Sequence, residues 1–351
     1  MIKSTSKHWI TLASMVSFMN CGDTVPTEEL AAETQASNIS QALACDAGNA
    51  PQVRRYEFPV TLASGAPAKM VGYLYYRGSY EHKPLMVAVH GATYNHKYWD
   101  GPTINGHSYS FACYMAAYSY AVLALDLVGS GESTGEGVLD GDAVTFDDSK
   151  NAIATVLQQL RTRNNPIQSA FSKITLVGHS LGSEHSIGVQ ATTHAADALV
   201  VTGWTHVPPP GGVAVDVTPF LATPYVTFPP EVRTALFYGP SASPDVIAYD
   251  NSHMLDHLPR GVFGQAFSYI FQPAADGATA VTGRVLVQLG ENDPVFSGST
   301  AQAELASFPN ATVQSQVLPT VGHSFNLHPE NRYGWRQIVS WLHANRMDCE
   351  D

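Results

Sequence analysis

Between Lys173 and Gly188 the sequence reads KITLVGHSLGSEHSIG, and no other stretch narrows the choice of folds as much. Ile174–Val177 is an apolar, strand-like run, and a helical pattern opens at Leu181. Between them stands Gly178-His179-Ser180-Leu181-Gly182, a G-x-S-x-G. A chain that leaves a strand and enters a helix in so few residues bends sharply, and the residue at the bend projects from the end of the sheet. Small residues two positions to either side permit the bend. The pentapeptide alone also occurs in ordinary Gly-Ser loops. The strand before it and the helix after it are what give Ser180 a chemical reading, as an exposed hydroxyl nucleophile.

The rest of the chain agrees with a strand–helix alternation. Tyr56–Leu62 and Lys69–Tyr76 flank the turn Ser64-Gly65-Ala66-Pro67 and read as a half-exposed hairpin. Pro84–His90, Tyr120–Leu127, Lys173–Val177, Ala198–Trp204, Arg284–Leu289 and Ala311–Leu318 are apolar runs of strand length. Helical patterns fall at Ser110–Tyr118, Thr145–Arg161, from Leu181, at Thr300–Ser307 and at Asn331–Arg346. Thr145 and Asp148 have capping-box spacing. Continuous apolar strands alternating with helices predict a mostly parallel sheet covered on both faces, with antiparallel strands added by the leading hairpin. The rhythm fails between Trp204 and Val281, a segment rich in aromatic residues from Phe220 to Phe271. A structureless loop of that length does not suit a compact domain, so residues 205–280 are expected to form an inserted cap.

With 351 residues, 44% of them hydrophobic, the chain can bury one large core and little more. Its 18 basic residues against 30 acidic ones, with no basic run, argue against a nucleic-acid partner. Lys3 and Lys7 precede the uncharged apolar run Trp9–Met19, too short to span a bilayer, so residues 1–21 read as an export signal. Residues 22–52 carry Asp23, Glu28, Glu29, Glu33 and Asp46 among Ala, Thr, Ser and Gln, and are expected to be a disordered acidic tether to a body spanning 53–348. Phe18-Met19-Asn20-Cys21 resembles the cleavage box of bacterial lipoproteins, apart from Asn20. Two destinations follow: release after signal cleavage, or a membrane tether through a lipidated Cys21. In an oxidising compartment Cys45 and Cys349, at the two ends of the body, are candidates to pair. Cys113, in an apolar helical stretch, is expected to be a buried free thiol.

A nucleophilic serine needs a base and an acid that orients it. Among 14 histidines, His323 follows the last strand in Val321-Gly322-His323-Ser324. Asp293 directly follows Arg284–Leu289, with Glu291 as the rival acid; His328 and His179 are read as structural. No H-E-x-x-H and no Cys/His spacing suggests a metal, and no cofactor is expected. The segment Asp126-Leu127-Val128-Gly129-Ser130-Gly131-Glu132-Ser133-Thr134-Gly135 follows a strand but places Thr134 where a dinucleotide fingerprint needs its third glycine.

From about Tyr56 to Arg346 the chain resembles the α/β-hydrolase superfamily, in particular its capped serine esterases and lipases. The resemblance is carried by VAVHGATYNHKYW (87–99), ALDLVGSGES (124–133), LVGHSLGS (176–183), LVQLGENDPVF (286–296) and VGHSFNLH (321–328). It implies a mostly parallel sheet with helices on both faces and a cap after the sixth strand. It also implies a catalytic set in the order Ser180, Asp293, His323. The strand end His90-Gly91-Ala92-Thr93 then supplies one oxyanion N–H, from Ala92 ahead of Thr93, and Leu181 the other. The activity implied is hydrolysis of a small, apolar carboxylic ester through an acyl-enzyme; a lactonase, C–C hydrolase, peptidase or acyltransferase would share these residues. One departure stands out: Ser183 occupies a position where such lipases commonly carry a second glycine.

Overall fold

The computed structural model describes residues 50–210 and 218–347. The expected export signal, nearly all of the expected tether, Cys21, and the expected Cys45–Cys349 pair lie outside these residues.

Eight strands form one sheet: β1 (Gln52–Thr61), β2 (Pro67–Tyr76), β3 (Leu85–Val89), β4 (Ala121–Leu125), β5 (Ile174–His179), β6 (Ala198–Thr202), β7 (Gly283–Gly290) and β8 (Ala311–Leu318). Their order across the sheet is β1-β2-β4-β3-β5-β6-β7-β8. The β1–β2 hairpin is antiparallel and joins β4 antiparallel; every other pairing is parallel. Every residue of β3, β4, β5 and β6 is buried. That is why these strands read as unbroken apolar runs, whereas β8, at the edge, alternates.

The order places β3 between β4 and β5, so successive connections leave β3 in opposite directions. The crevice at such a reversal, outside the carboxyl ends of the strands, is where open α/β sheets bind ligands. Here it brings the loop after β3 against the turn after β5: a Cβ added to Gly91 would stand 3.0 Å from the Cβ of Ser180.

Helices α1 (Phe111–Ala117), α2 (Phe146–Leu160), α3 (Leu181–Thr193) and α8 (Asn331–Ala344) cover the sheet. The capping box at Thr145 and Asp148 is formed, and Ser110 caps α1. The helix expected over Thr300–Ser307 is reduced to the single turn α7 (Ala301–Glu304), between 3-10 turns Gly298–Thr300 and Leu305–Ser307. Glu304 is drawn inward there to Thr205 and His206, and the chain tightens on either side. A second correction concerns Cys113. It is buried on α1 as expected, but it is disulfide-bonded rather than free, and its partner lies outside the described residues. Burial does not fix a thiol's state; the nearness of a second thiol does.

Between β6 and β7 the chain leaves the sheet. It forms α4 (Pro230–Phe237), α5 (Pro244–His253) and α6 (Arg260–Tyr269), with a two-residue ladder between Tyr225–Val226 and Leu258–Pro259. No described helix is long and apolar enough to cross a membrane.

Candidate active site

Ser180 stands at the end of β5 with φ 53° and ψ −124°, a conformation that costs an L-residue roughly 1–3 kcal/mol and persists only where the surroundings impose it. Those surroundings are specific. The Ser180 N–H donates to the carbonyl of Thr202 on β6 at 2.8 Å. A side chain on Gly178 would run into the backbone of Ser183, and one on Gly182 into the carbonyls of Val89 and His90. Both glycines of the G-x-S-x-G are thus demanded by close approach. Ser183 also has a reason: its hydroxyl donates to the Thr202 carbonyl at 2.9 Å and accepts from the Thr202 N–H at 3.0 Å. A glycine there would fit, but would leave β6 without that tie.

His323 lies in the loop after β8, with its Nδ1 2.8 Å from Oδ2 of Asp293 in the loop after β7. The other carboxylate oxygen of Asp293 accepts the N–H groups of Val295 and Phe296, each at 2.8 Å, so the acid cannot swing away. The exposed Glu291 instead accepts the Thr320 N–H at 2.8 Å, and its carboxylate faces a turn rather than His323. His328 is a brace: its Nε2 accepts from Gly239 at 3.1 Å and from Gly322 at 3.0 Å, and burial holds its imidazole below the ordinary range. His179 is fully buried, bonded through Nδ1 to the Thr202 hydroxyl and stacked on Tyr98.

Ser180 and His323 share the wall of a cavity of about 110 Å³. No direct hydrogen bond joins them, and nucleophile–base bonds often tighten only around a substrate. With Nδ1 engaged by Asp293, Nε2 is the ring nitrogen left for Ser180. Ala92 and Leu181 line the same cavity. As the first residue of α3, Leu181 has an N–H without an intrahelical acceptor. Thr93, beside Ala92, is fully buried with φ 59°. The remaining lining is apolar or aromatic: Trp204, Val295 and Phe296 from loops around the sheet, then Phe228, Leu236, Phe237, Phe263, Ala266, Phe267 and Ile270 from the inserted segment. One exception is Glu184.

Two buried polar clusters around the site carry no sequence signature. In the first, Arg233 of α4 donates to the Thr93 carbonyl at 3.0 Å, to its hydroxyl at 2.8 Å, and to Asp250 of α5 at 2.6 Å. Tyr94 and Tyr238 donate to the other oxygen of Asp250, and the Tyr94 hydroxyl is 2.8 Å from that of Ser324, next to His323. In the second, His206 is held between Asp276 at Nε2 and Glu304 at Nδ1, both at 2.7 Å. Burial opposes a charged imidazole, but the hydrogen bonds to Asp276 and Glu304 outweigh it and push His206 up to about 9. Two acids around one imidazolium leave one acid short of a cation; burial pushes the Asp276 carboxyl upward.

The glycine-rich segment after β4 is a clasp. Asp126 accepts the N–H of His96 at 2.7 Å and of Glu132 at 2.9 Å, and a side chain on Gly131 would collide with its carboxylate. Ser133 ties the Asp126 carbonyl to β2.

A model of the alpha/beta hydrolase family matches residues 86–333. No curated protein matches the sequence. Among solved structures, an esterase from Thermogutta terrifontis superposes with a TM-score of 0.60 at 19% identity, covering 84% of this chain and 99% of that one. A monoacylglycerol lipase from Paleococcus ferrophilus gives 0.56 at 18% identity, with 84% and 99% covered. A monoglyceride lipase from Saccharomyces cerevisiae gives 0.60 at 12% identity, with 86% and 97% covered. Matched over that span and folded on that sheet, the chain belongs to the alpha/beta hydrolase family.

Proposed function

We propose that the chain is a serine hydrolase of small, apolar carboxylic esters. The observation that carries this reading is the single cavity wall shared by a strained Ser180 and by His323, whose Nδ1 is held by Asp293. In the mechanism it supports, His323 Nε2 takes the Ser180 proton as the hydroxyl attacks the ester carbonyl. The tetrahedral oxyanion is met by the N–H groups of Ala92 and Leu181. His323 then returns the proton to the leaving alcohol, an acyl group remains on Ser180, and water activated by the same imidazole releases the acid. Asp293 keeps the proton on Nδ1 and offsets the charge of the imidazolium. The nearly all-apolar lining favours uncharged hydrocarbon groups, and the esterase and lipases of similar fold support ester chemistry. The cavity, about 110 Å³, is smaller than one of about 150 Å³ that holds benzene, which points to short chains.

The test is covalent labelling by a fluorophosphonate followed by peptide mapping, together with turnover of p-nitrophenyl butanoate. Label on Ser180, and a loss of about a millionfold in turnover for Ser180→Ala, is the expected result. A Ser180→Ala protein that keeps a few per cent of its activity would remove the assignment.

A further inference from the structure

Glu184 sits on α3 one turn beyond Ser180 and belongs to the wall of the same cavity as Ser180 and His323. It is fully buried, and neither carboxyl oxygen has a hydrogen-bond partner. Leaving a buried polar group unsatisfied is costly, and the cost grows for a charged one. The surroundings offer no remedy. The charge that acts on it is that of Asp276, of like sign. The imidazole beside Asp276, His206, already has both nitrogens on carboxylates. Besides Ser180 and His323, the only other lining side chain with a polar atom is Trp204, whose indole N–H is also buried without a partner; the rest are apolar.

We propose that Glu184 is a specificity-determining residue: it receives an uncharged, oxygen-bearing group, a hydroxyl or a ketone, on the ester half that enters the cavity. The proposal rests on the ester-hydrolase reading above and names the substrate class more closely. Burial, with the charge of Asp276 added, drives the Glu184 carboxyl well above the usual carboxylate range. In the protonated form that this burial favours, the carboxyl has one O–H to donate and a carbonyl to accept. A hydroxyl satisfies both; a ketone takes the donor. An anionic group would meet the field of Asp276. Four residues of helix separate Glu184 from the nucleophile, about 6 Å along the axis. The recognised oxygen therefore belongs a few bonds beyond the carbonyl carbon, on the acyl chain or on the alcohol.

Competition measurements of kcat/KM between ester pairs test this. The acyl arm compares ethyl 3-hydroxybutanoate and ethyl 4-oxopentanoate with ethyl butanoate and ethyl pentanoate. The alcohol arm compares 3-hydroxypropyl butanoate with propyl butanoate. The protein should favour the oxygenated member of one arm by about tenfold, the worth of one hydrogen bond. Glu184→Gln, neutral and able to donate and accept, should keep the hydroxyl preference. Glu184→Leu should reverse it and raise the melting temperature, because an unsatisfied carboxyl is removed. Equal ratios in the unmodified protein and in Glu184→Leu, in both arms, would overturn the proposal. So would a preference for an aminated chain over its hydroxylated analogue. Fluorophosphonate labelling of Ser180 in both proteins separates the two layers: no label sinks the hydrolase reading, whereas label with flat ratios sinks only the role of Glu184.

Discussion

Two of the buried histidine–carboxylate contacts among the described residues stand close to the cavity and are nearly equal in length: Asp293–His323 at 2.8 Å and Asp276–His206 at 2.7 Å. Both histidines follow the carboxyl end of a sheet strand, His323 after β8 and His206 after β6. They differ in the second ring nitrogen. That of His323 is left for the cavity it shares with Ser180, whereas that of His206 is taken by Glu304. An imidazole between two acids keeps its proton well past neutral pH and cannot accept another. A histidine–aspartate contact is therefore not a catalytic signature in itself. A free nitrogen, and a hydroxyl within its reach, decide.

The largest effect expected from this contrast is on rate. Asp293→Asn should lower kcat by about ten-thousandfold, because the amide donates where the imidazole Nδ1–H needs an acceptor. Steady-state kinetics with p-nitrophenyl butanoate would show it, alongside an unchanged circular-dichroism spectrum. Glu291→Gln should alter kcat by less than about twofold, since the exposed Glu291 bonds only to a turn. The reverse pattern would move the acid to Glu291.

The second effect is on stability. His206 is raised to about 9 in the folded chain, from an unfolded value of about 6.5. Its contribution, on the order of 3 kcal/mol, is complete below about pH 6.5 and is lost as pH rises towards about 9. Melting temperature should fall by about 5 °C across that window, and the fall should be absent in His206→Gln, which is less stable at pH 6. A rate loss in His206→Gln larger than tenfold, measured on folded protein at low temperature, would erase the distinction between the two assemblies.

The smallest effect tests the scaffold that the two share, β6. Ser183→Gly removes the hydroxyl that satisfies the Thr202 N–H and should cost about 1–2 kcal/mol in urea unfolding. Turnover should change little, because Ser180 retains its own bond to the Thr202 carbonyl.

What was legible in the sequence follows from distance along the chain. Strands β3 to β6 announce themselves because burial on both faces makes them continuously apolar, and the G-x-S-x-G is legible because close packing excludes every side chain at Gly178 and Gly182. Helices α4 to α6 were not legible. They are short, two begin at proline, and α6 contains Gly261 and Gly264, so neither period nor propensity marks them. The partners of His206 lie 70 and 98 residues away, and Arg233 meets Thr93 across 140, spans over which no local pattern operates. Glu184 did leave a trace: an acid four residues after Ser180, on a helix whose other residues up to Ile187 are small, apolar or histidine. Cys113 shows the opposite failure, since its apolar context says nothing about which cysteine comes near.

The clasp of Arg233 on Thr93 gives the inserted segment a mechanical character. Raising the inserted segment off the body would leave the Arg233–Asp250 pair together but break both hydrogen bonds from the guanidinium to Thr93, at about 1.5–3 kcal/mol for each bond made by a charged group. Thr93 is the neighbour of Ala92, so any such lift would also drag on the backbone that faces Ser180. This part of the roof is consequently a fixed strut rather than a hinged lid. A substrate has to fit the chamber as it stands, and selection is exercised by the shape of a fixed vault rather than by closure around whatever enters.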